Sequence, residues 1–242
     1  MSELNLAQIE KELFDAIENE LKTRNYDVEI FVQNYRTEVG EIISKKVQDE
    51  KFNQNLLVLP VILGKILPYI ADEYYIPILM SLLKDRNLDD RMRFQVIQKL
   101  GWRSTEAKEA IPYLVEFLKK EGMVGEIAAI ALSEIGYDNF DELIPKLVSA
   151  LKNNDYYIYR MNAARQLFKN KEHLMKILPD LISAFITDPD FRLRQKIARY
   201  FGEINEQIVK EVLLAAHTND KHPIVRTVAK TSLEDLEKLN KI

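Results

Sequence analysis

Among the side chains able to do chemistry, arginine is the one that recurs at a fixed interval. Arg93, Arg160, Arg194 and Arg226 occupy the same place in DRMRFQVIQKLG (90–101), YYIYRMNAARQLF (156–168), DFRLRQKIARYFG (190–202) and HPIVRTVAKTSL (222–233). GEIAAIALSEIG (125–136) joins the series with Ala128 in the arginine slot, and the spacings become 35, 32, 34 and 32 residues. A guanidinium stays charged and carries five N–H donors in a planar fork. It suits carboxylates and phosphates, and equally the carbonyls of a neighbouring turn. The four repeat arginines are read as structural, bonding turn carbonyls or Asp188 and Asp220 in neighbouring repeats.

Catalytic constellations are sparse. The three histidines, His173, His217 and His222, fall in different helices or turns, and the chain has no cysteine, so no metal-ligand set is recognisable. Thiolate chemistry and disulfides are excluded, and a reducing compartment fits. No GxSxG, P-loop or GxGxxG string occurs. GMVG (122–125) reads as a glycine turn between helices rather than a nucleic-acid clamp. Asp89 with Asp90, and Asp141 with Glu142, stand at expected helix starts, where negative charge favours the helix dipole. The expectation is a protein with no cofactor, no metal and no catalytic residue.

The elements that carry the arginines follow from periodicity. Positions one before, three after and seven after each slot lie on one helical face. They hold Met92, Val96, Leu100, Ile127, Ala131, Ile135, Tyr159, Ala163, Leu167, Leu193, Ile197, Phe201, Val225, Ala229 and Leu233, all apolar. Ahead of each lies another helical pattern, at 76–85, 111–120, 143–152, 177–187 and 208–218. The first four of these carry Pro77, Pro112, Pro145 and Pro179 near the start, where proline is tolerated. Asn87, Gly122, Asn154, Asp188 and Asp220, six residues before the slot, suit turns and helix caps. Helix, short turn, helix is the unit, repeated five times over 72–242. Residues 1–71 stand outside the register and read as an N-terminal helical cap continuous with the array. The fold class is all-α: an α-solenoid, or superhelix, of tandem antiparallel helix pairs.

On these residues the chain resembles the HEAT-repeat family, in particular the short HEAT-like repeats first noticed in phycobilisome lyases. The shared features are an early proline in the first helix, a turn aspartate and an arginine opening the second helix. Ala128, Gly122 and the two asparagines depart from that pattern. The resemblance implies a scaffold or adaptor that presents a concave groove, lined by the second helices, to a protein or peptide partner. It also implies two alternatives. Alkylpurine DNA glycosylases are HEAT-like with a basic concave face, but they carry a tryptophan–aspartate cluster of the form WDLVD. Here Trp102, in GWRST, is followed by no acid until Glu106. Simple nucleic-acid binding is untouched by that difference, and a bilin lyase follows from the namesake repeats alone.

The face opposite the apolar stripe holds Arg91, Gln98, Glu126, Ser133, Ile158, Arg165, Arg192, Arg199, Ile224 and Thr231, four arginines against one acid. The net charge of the chain is −4, yet residues 1–55 carry 12 acidic and 7 basic side chains, so the remainder is slightly basic. Arg91, Arg165, Arg192 and Arg199, with Tyr156 and Tyr157 beside them, are the candidate partner- or anion-binding residues. A solvated face whose arginines pair with acids on adjacent helices accounts for the same pattern. The most apolar run, Leu56 to Gly64, is too short to span a bilayer, and MSELNLAQIEKELF has acids where a signal peptide needs a basic region. No membrane association is expected, and the expected compartment is the cytoplasm.

Overall fold

The computed structural model describes residues 4–23, 27–55, 57–153 and 155–239, in which helices account for the regular structure and no strand occurs. Asn154, read above as a turn residue, Leu56 and residues 240–242 lie outside the described residues. Two compact units form, Met1–Gly136 and Tyr137–Ile242. In each, helices pack on their neighbours in chain order, which is the α-solenoid arrangement.

The second unit is built of three helix pairs: α10 (Phe140–Asn153) with α11 (Tyr157–Lys169), α12 (Leu174–Thr187) with α13 (Phe191–Phe201), and α14 (Gln207–Asn219) with α15 (Pro223–Leu239). The second helices α11, α13 and α15 lie side by side, as do α10, α12 and α14. The first unit begins with α1 (Leu6–Thr23), α2 (Asp27–Asn34), α3 (Arg36–Lys46), the short α4 (Glu50–Asn53), and α5 (Val58–Val61), which runs into a π-helical turn at Ile62–Ile66. Within the apolar run Leu59, Ile62 and Leu63 are fully buried, as is Ile66 just beyond it, whereas Leu57 is exposed. Then come α6 (Asp72–Lys84) with α7 (Asp90–Trp102), and α8 (Ile111–Leu118) with α9 (Met123–Ile135). The expected cap junction near residue 72 lies inside this unit, where α3 packs on α6.

Thirteen of the fifteen apolar stripe positions are buried, while Tyr159 and Leu233 are half-buried. In α15 burial passes instead through Ser232 to Leu236, because an ideal helix drifts off a strict four-residue spacing. Pro77, Pro145 and Pro179 each sit at the sixth helical position, since α6, α10 and α12 begin a turn earlier than the apolar pattern. Asp72 and Glu73, and Asp141 and Glu142, supply two of these added turns and place carboxylates at the positive end of the dipole. Only Pro112 occupies the first turn, in α8, which a 3₁₀ segment (Ser104–Ala110) leads into.

Buried ion pairs link successive repeats. Arg160 Nε and Nη2 donate to Asp188 at 2.6 and 2.9 Å. Arg194 grips Asp220 the same way, at 2.9 and 2.9 Å, while its Nη1 donates to the Asp188 carbonyl at 2.7 Å. Each aspartate also accepts the backbone N–H two residues on, at 2.8 Å, which shapes the turn. Arg226 closes the series by donating to the Asp220 carbonyl at 2.6 Å. One arginine therefore holds its own turn by the carbonyl and the next turn by the carboxylate.

The first unit keeps half of this device. Arg93 donates to the carbonyls of Asp85 and Leu88, at 3.1 and 2.7 Å. Its turn is two residues longer than those of the second unit, so the equivalent of Asp188 is Asp85, not Asn87: Asp85 caps α6 and accepts the Asn87 N–H at 2.8 Å. Gly122 precedes α9 at φ +72°, ψ −156°, a conformation essentially reserved for glycine, so no aspartate can stand there unstrained. Residues 124–132 of α9 are all buried, Ala128 included, and the slot has no room for a guanidinium.

Replacing Arg160 by alanine strands Asp188, whose side chain is only 5 % exposed, and is expected to cost about 3–5 kcal/mol in urea unfolding. The same change at exposed Arg199 should stay within about 0.5 kcal/mol. Equal losses at the two sites would contradict the ladder. Gly122→Asp, although it introduces the residue that stands six before the slot in the last two repeats, is expected to destabilise by about 1–3 kcal/mol, readable as a lowered thermal midpoint.

Candidate partner-binding surface

In the second unit the N-terminal ends of α11, α13 and α15 stand next to one another, and ring contacts stitch them together. The Arg192 guanidinium, at the start of α13, lies 3.4 Å from the ring centroid of Tyr157, at the start of α11. Phe191 stacks on His222 with centroids 3.7 Å apart and planes within 6°, joining α13 to α15. Tyr156 meets Tyr159 edge to face at 6.0 Å. Along this strip three large apolar side chains face solvent: Tyr156 is 66 %, Ile158 48 % and Ile224 44 % exposed.

Arg192 is held before any partner arrives. Asp190, the N-cap of α13, accepts the Arg192 backbone N–H at 2.9 Å, Nε at 2.9 Å and Nη2 at 2.5 Å. The Arg192 side-chain hydrogen bonds, reinforced by the backbone bond and the charges of Arg192 and Arg160, bring the Asp190 carboxyl down to about 2. The pair fixes the guanidinium plane over the tyrosine, a cation–π arrangement.

The other candidate residues divide. Arg165 is half-buried on α11 and adjoins Tyr200 of α13, whose phenol is raised by burial, with Arg165 opposing the shift. Tyr200 in turn stacks on Phe168 at 4.3 Å, below Lys171 and Lys196. Arg199 is exposed, and no hydrogen bond or ion pair among the described residues holds its guanidinium. Arg91 is exposed on α7 and belongs to the first unit. Glu126 and Ser133, expected on the open face, are buried and half-buried, because α9 is enclosed on more sides than an amphipathic helix. The repeat arginines 160 and 194 lie beneath the surface, and Arg93 is 4 % exposed. The stripe is thus no uniform row of free cations.

Three contributors were not among the candidate binding residues of the sequence: Asp190, Phe191 and His222, the last read there as an ordinary turn histidine. The string Asp-Phe-Arg at a helix start carried a signal for the first, since an N-cap aspartate two residues before an arginine can chelate it. The ring stack had none, because its partners are 31 residues apart in sequence.

A family model described as HEAT repeats matches residues 144–234, spanning α10 to α15. Residues 144–234 are thus similar to HEAT repeats. Its sequence is also 41 % identical over 56 residues to the uncharacterized protein SkfG of Bacillus subtilis (strain 168), an overlap of 23 % of this chain and 33 % of that protein. The match thus spans a third of the relative's length. Among the described residues no helix is long and apolar enough to cross a membrane.

Because the Asp190 carboxyl is depressed, its pairing stabilises the start of α13 above the unfolded carboxyl value and is lost as pH falls through about 2. Carboxyl NMR titration should give Asp190 a midpoint near 2, and Arg192→Ala should return it toward 3.8. An unchanged midpoint in the variant would rule Arg192 out as the cause.

Proposed function

We propose that the chain is a non-catalytic binding module whose second unit captures a segment of a protein partner along the N-terminal strip of α11, α13 and α15. HEAT arrays generally serve as scaffolds for protein interaction, through the extended surface that stacked helix pairs create. The observation that carries the reading is the pre-set Tyr157–Arg192 pair flanked by exposed Tyr156, Ile158 and Ile224. Tyrosine and arginine anchors dominate protein interfaces, and side chains already fixed in place lose little rotamer entropy on binding.

Phosphate binding is less well supported by the same residues. A nucleic-acid groove needs cations whose charge is available to the backbone, and salt then weakens binding steeply. Arg192 already forms a two-pronged ion pair with Asp190, and Lys171 pairs with Glu203 at 3.1 Å. Arg199 of α13 is exposed and held by no ion pair among the described residues, and beside an aromatic and aliphatic strip this favours a partner with apolar anchors and an acid.

A displayed peptide library selected on the purified chain tests this. Enriched peptides should bear apolar anchors, and their affinity should fall at least tenfold for Tyr157→Ala/Ile158→Asp, with little change between low and moderate salt. Peptides that bind the variant equally well would overturn the assignment. So would single-stranded or duplex DNA that binds tightly at low salt and is lost from the same variant.

A further inference from the structure

The turn aspartate of the first unit differs from its counterparts in what faces its carboxylate. Asp188 and Asp220 each meet a guanidinium that occupies both oxygens. Asp85 has the same place at the end of a first helix and the same bond to the N–H two residues on. An arginine likewise donates to its carbonyl. Opposite its carboxylate, however, stands Asn53 of α4, whose Nδ2 gives Oδ2 one hydrogen bond at 3.0 Å. Nδ2 also donates to the Val47 carbonyl at 3.0 Å. Both neighbours are acceptors, so the amide orientation is decided and the remaining atom is the carbonyl oxygen. Asn53 is 2 % exposed, and its Oδ1 is buried with no donor among the described residues.

Asn53 and Asp85 line a cleft of about 450 Å³ between the α3–α4 turn and α6, with Glu50, Lys84 and Glu109 also on its wall. Three carboxylates meet there. Lys84 Nζ lies over the Tyr113 ring, 5.3 Å from its centroid, and Arg93 sits behind the turn on backbone carbonyls. Among the described residues no cation forms an ion pair with Asp85, Glu50 or Glu109, and the Glu50 carboxylate accepts from Asn87 Nδ2 at 2.8 Å. The matching cleft of the second unit, about 400 Å³, has the Arg160–Asp188 pair in its wall. There the chain supplies its own guanidinium to the turn carboxylate.

From this comparison we infer that the first-unit cleft binds a guanidinium from outside the chain: an arginine side chain of a peptide, or a small guanidino compound. The Asp85 carboxylate offers acceptors for the planar fork beside the buried, half-satisfied Asn53 amide, and Glu50 and Glu109 supply the field that retains a cation. The site lies in the other unit from the strip of α11, α13 and α15, so either can fail alone.

The test is a titration of the full chain, followed by amide and side-chain NMR shifts, with N-acetyl-L-arginine amide, free L-arginine, and the lysine and citrulline counterparts of the capped amino acid. The capped arginine should move Asn53, Ser81, Asp85 and Asn87 saturably, with a dissociation constant on the order of 1 mM, typical of so small a ligand. Tighter binding of the capped form points to a peptide segment, and tighter binding of free arginine to a small molecule. Exposed Glu109→Gln should weaken binding severalfold without disturbing the fold, and Asp85→Asn should weaken it at least tenfold. If Asp85→Asn unfolds the chain, Glu109→Gln alone decides. No shifts, equal shifts with citrulline or lysine, or unchanged affinity in Glu109→Gln would overturn the proposal.

Discussion

The largely buried aspartates that follow α12 and α14 in the second unit, Asp188 and Asp220, each need a donor, and that need is met by an arginine from the repeat before. Much else about the unit follows. The carboxylate is acceptor-only and almost wholly out of water, so an unfilled oxygen there costs the full desolvation of the group. Filling it with the fork of Arg160 or Arg194 fixes the distance and direction between one turn and the preceding second helix. Because Arg194 also takes up the Asp188 carbonyl of its own turn, and Arg226 the Asp220 carbonyl, these turns lock in series. A buried ion pair adds little net stability over an apolar packing of equal volume. Its contribution here is register: each pair admits one alignment of neighbouring repeats.

The first unit shows what happens where the device is interrupted. At α9 the arginine slot is filled by alanine, and the helix is buried over nine consecutive residues, so small side chains and close packing replace the guanidinium. The turn before it is made by a glycine at positive φ instead of a capping aspartate. At Asp85 the donor is the shorter Asn53, and the surplus acceptor capacity faces a cleft. These departures are local solutions to the same demand for satisfied polar groups.

Surface chemistry and ladder use one residue type for opposite ends. Arg160 and Arg194 are buried and matched; Arg192, two residues from Arg194, stands at the surface, held by Asp190 and laid on Tyr157. The difference comes from helix position alone. A two-residue step turns the side chain by about 200°, from the packed side of α13 to the open one. Pre-positioned arginine and tyrosine beside exposed isoleucines make a surface suited to a protein segment, and the regular stacking of helix pairs is what brings the three helix ends into line.

The apolar positions at four-residue spacing, the prolines and the recurrence of the arginine slot, filled once by Ala128, every 32 to 35 residues were enough, without any structure, to define the helix pairs, because they arise from local geometry within one helix or one turn. The pairing of Arg160 with Asp188 and Arg194 with Asp220 was legible as one of two options for the same reason: the turn aspartates share the period of the arginines. Tertiary structure alone decided that Asp85 rather than Asn87 is the first turn's acceptor, since turn length shifts the register by two residues. It alone buried Glu126 and half-buried Arg165, and it chose Arg192 as the surface arginine that meets Tyr157. Those outcomes depend on what a neighbouring helix covers, and on side chains far apart in the chain, which no periodicity within one helix can encode.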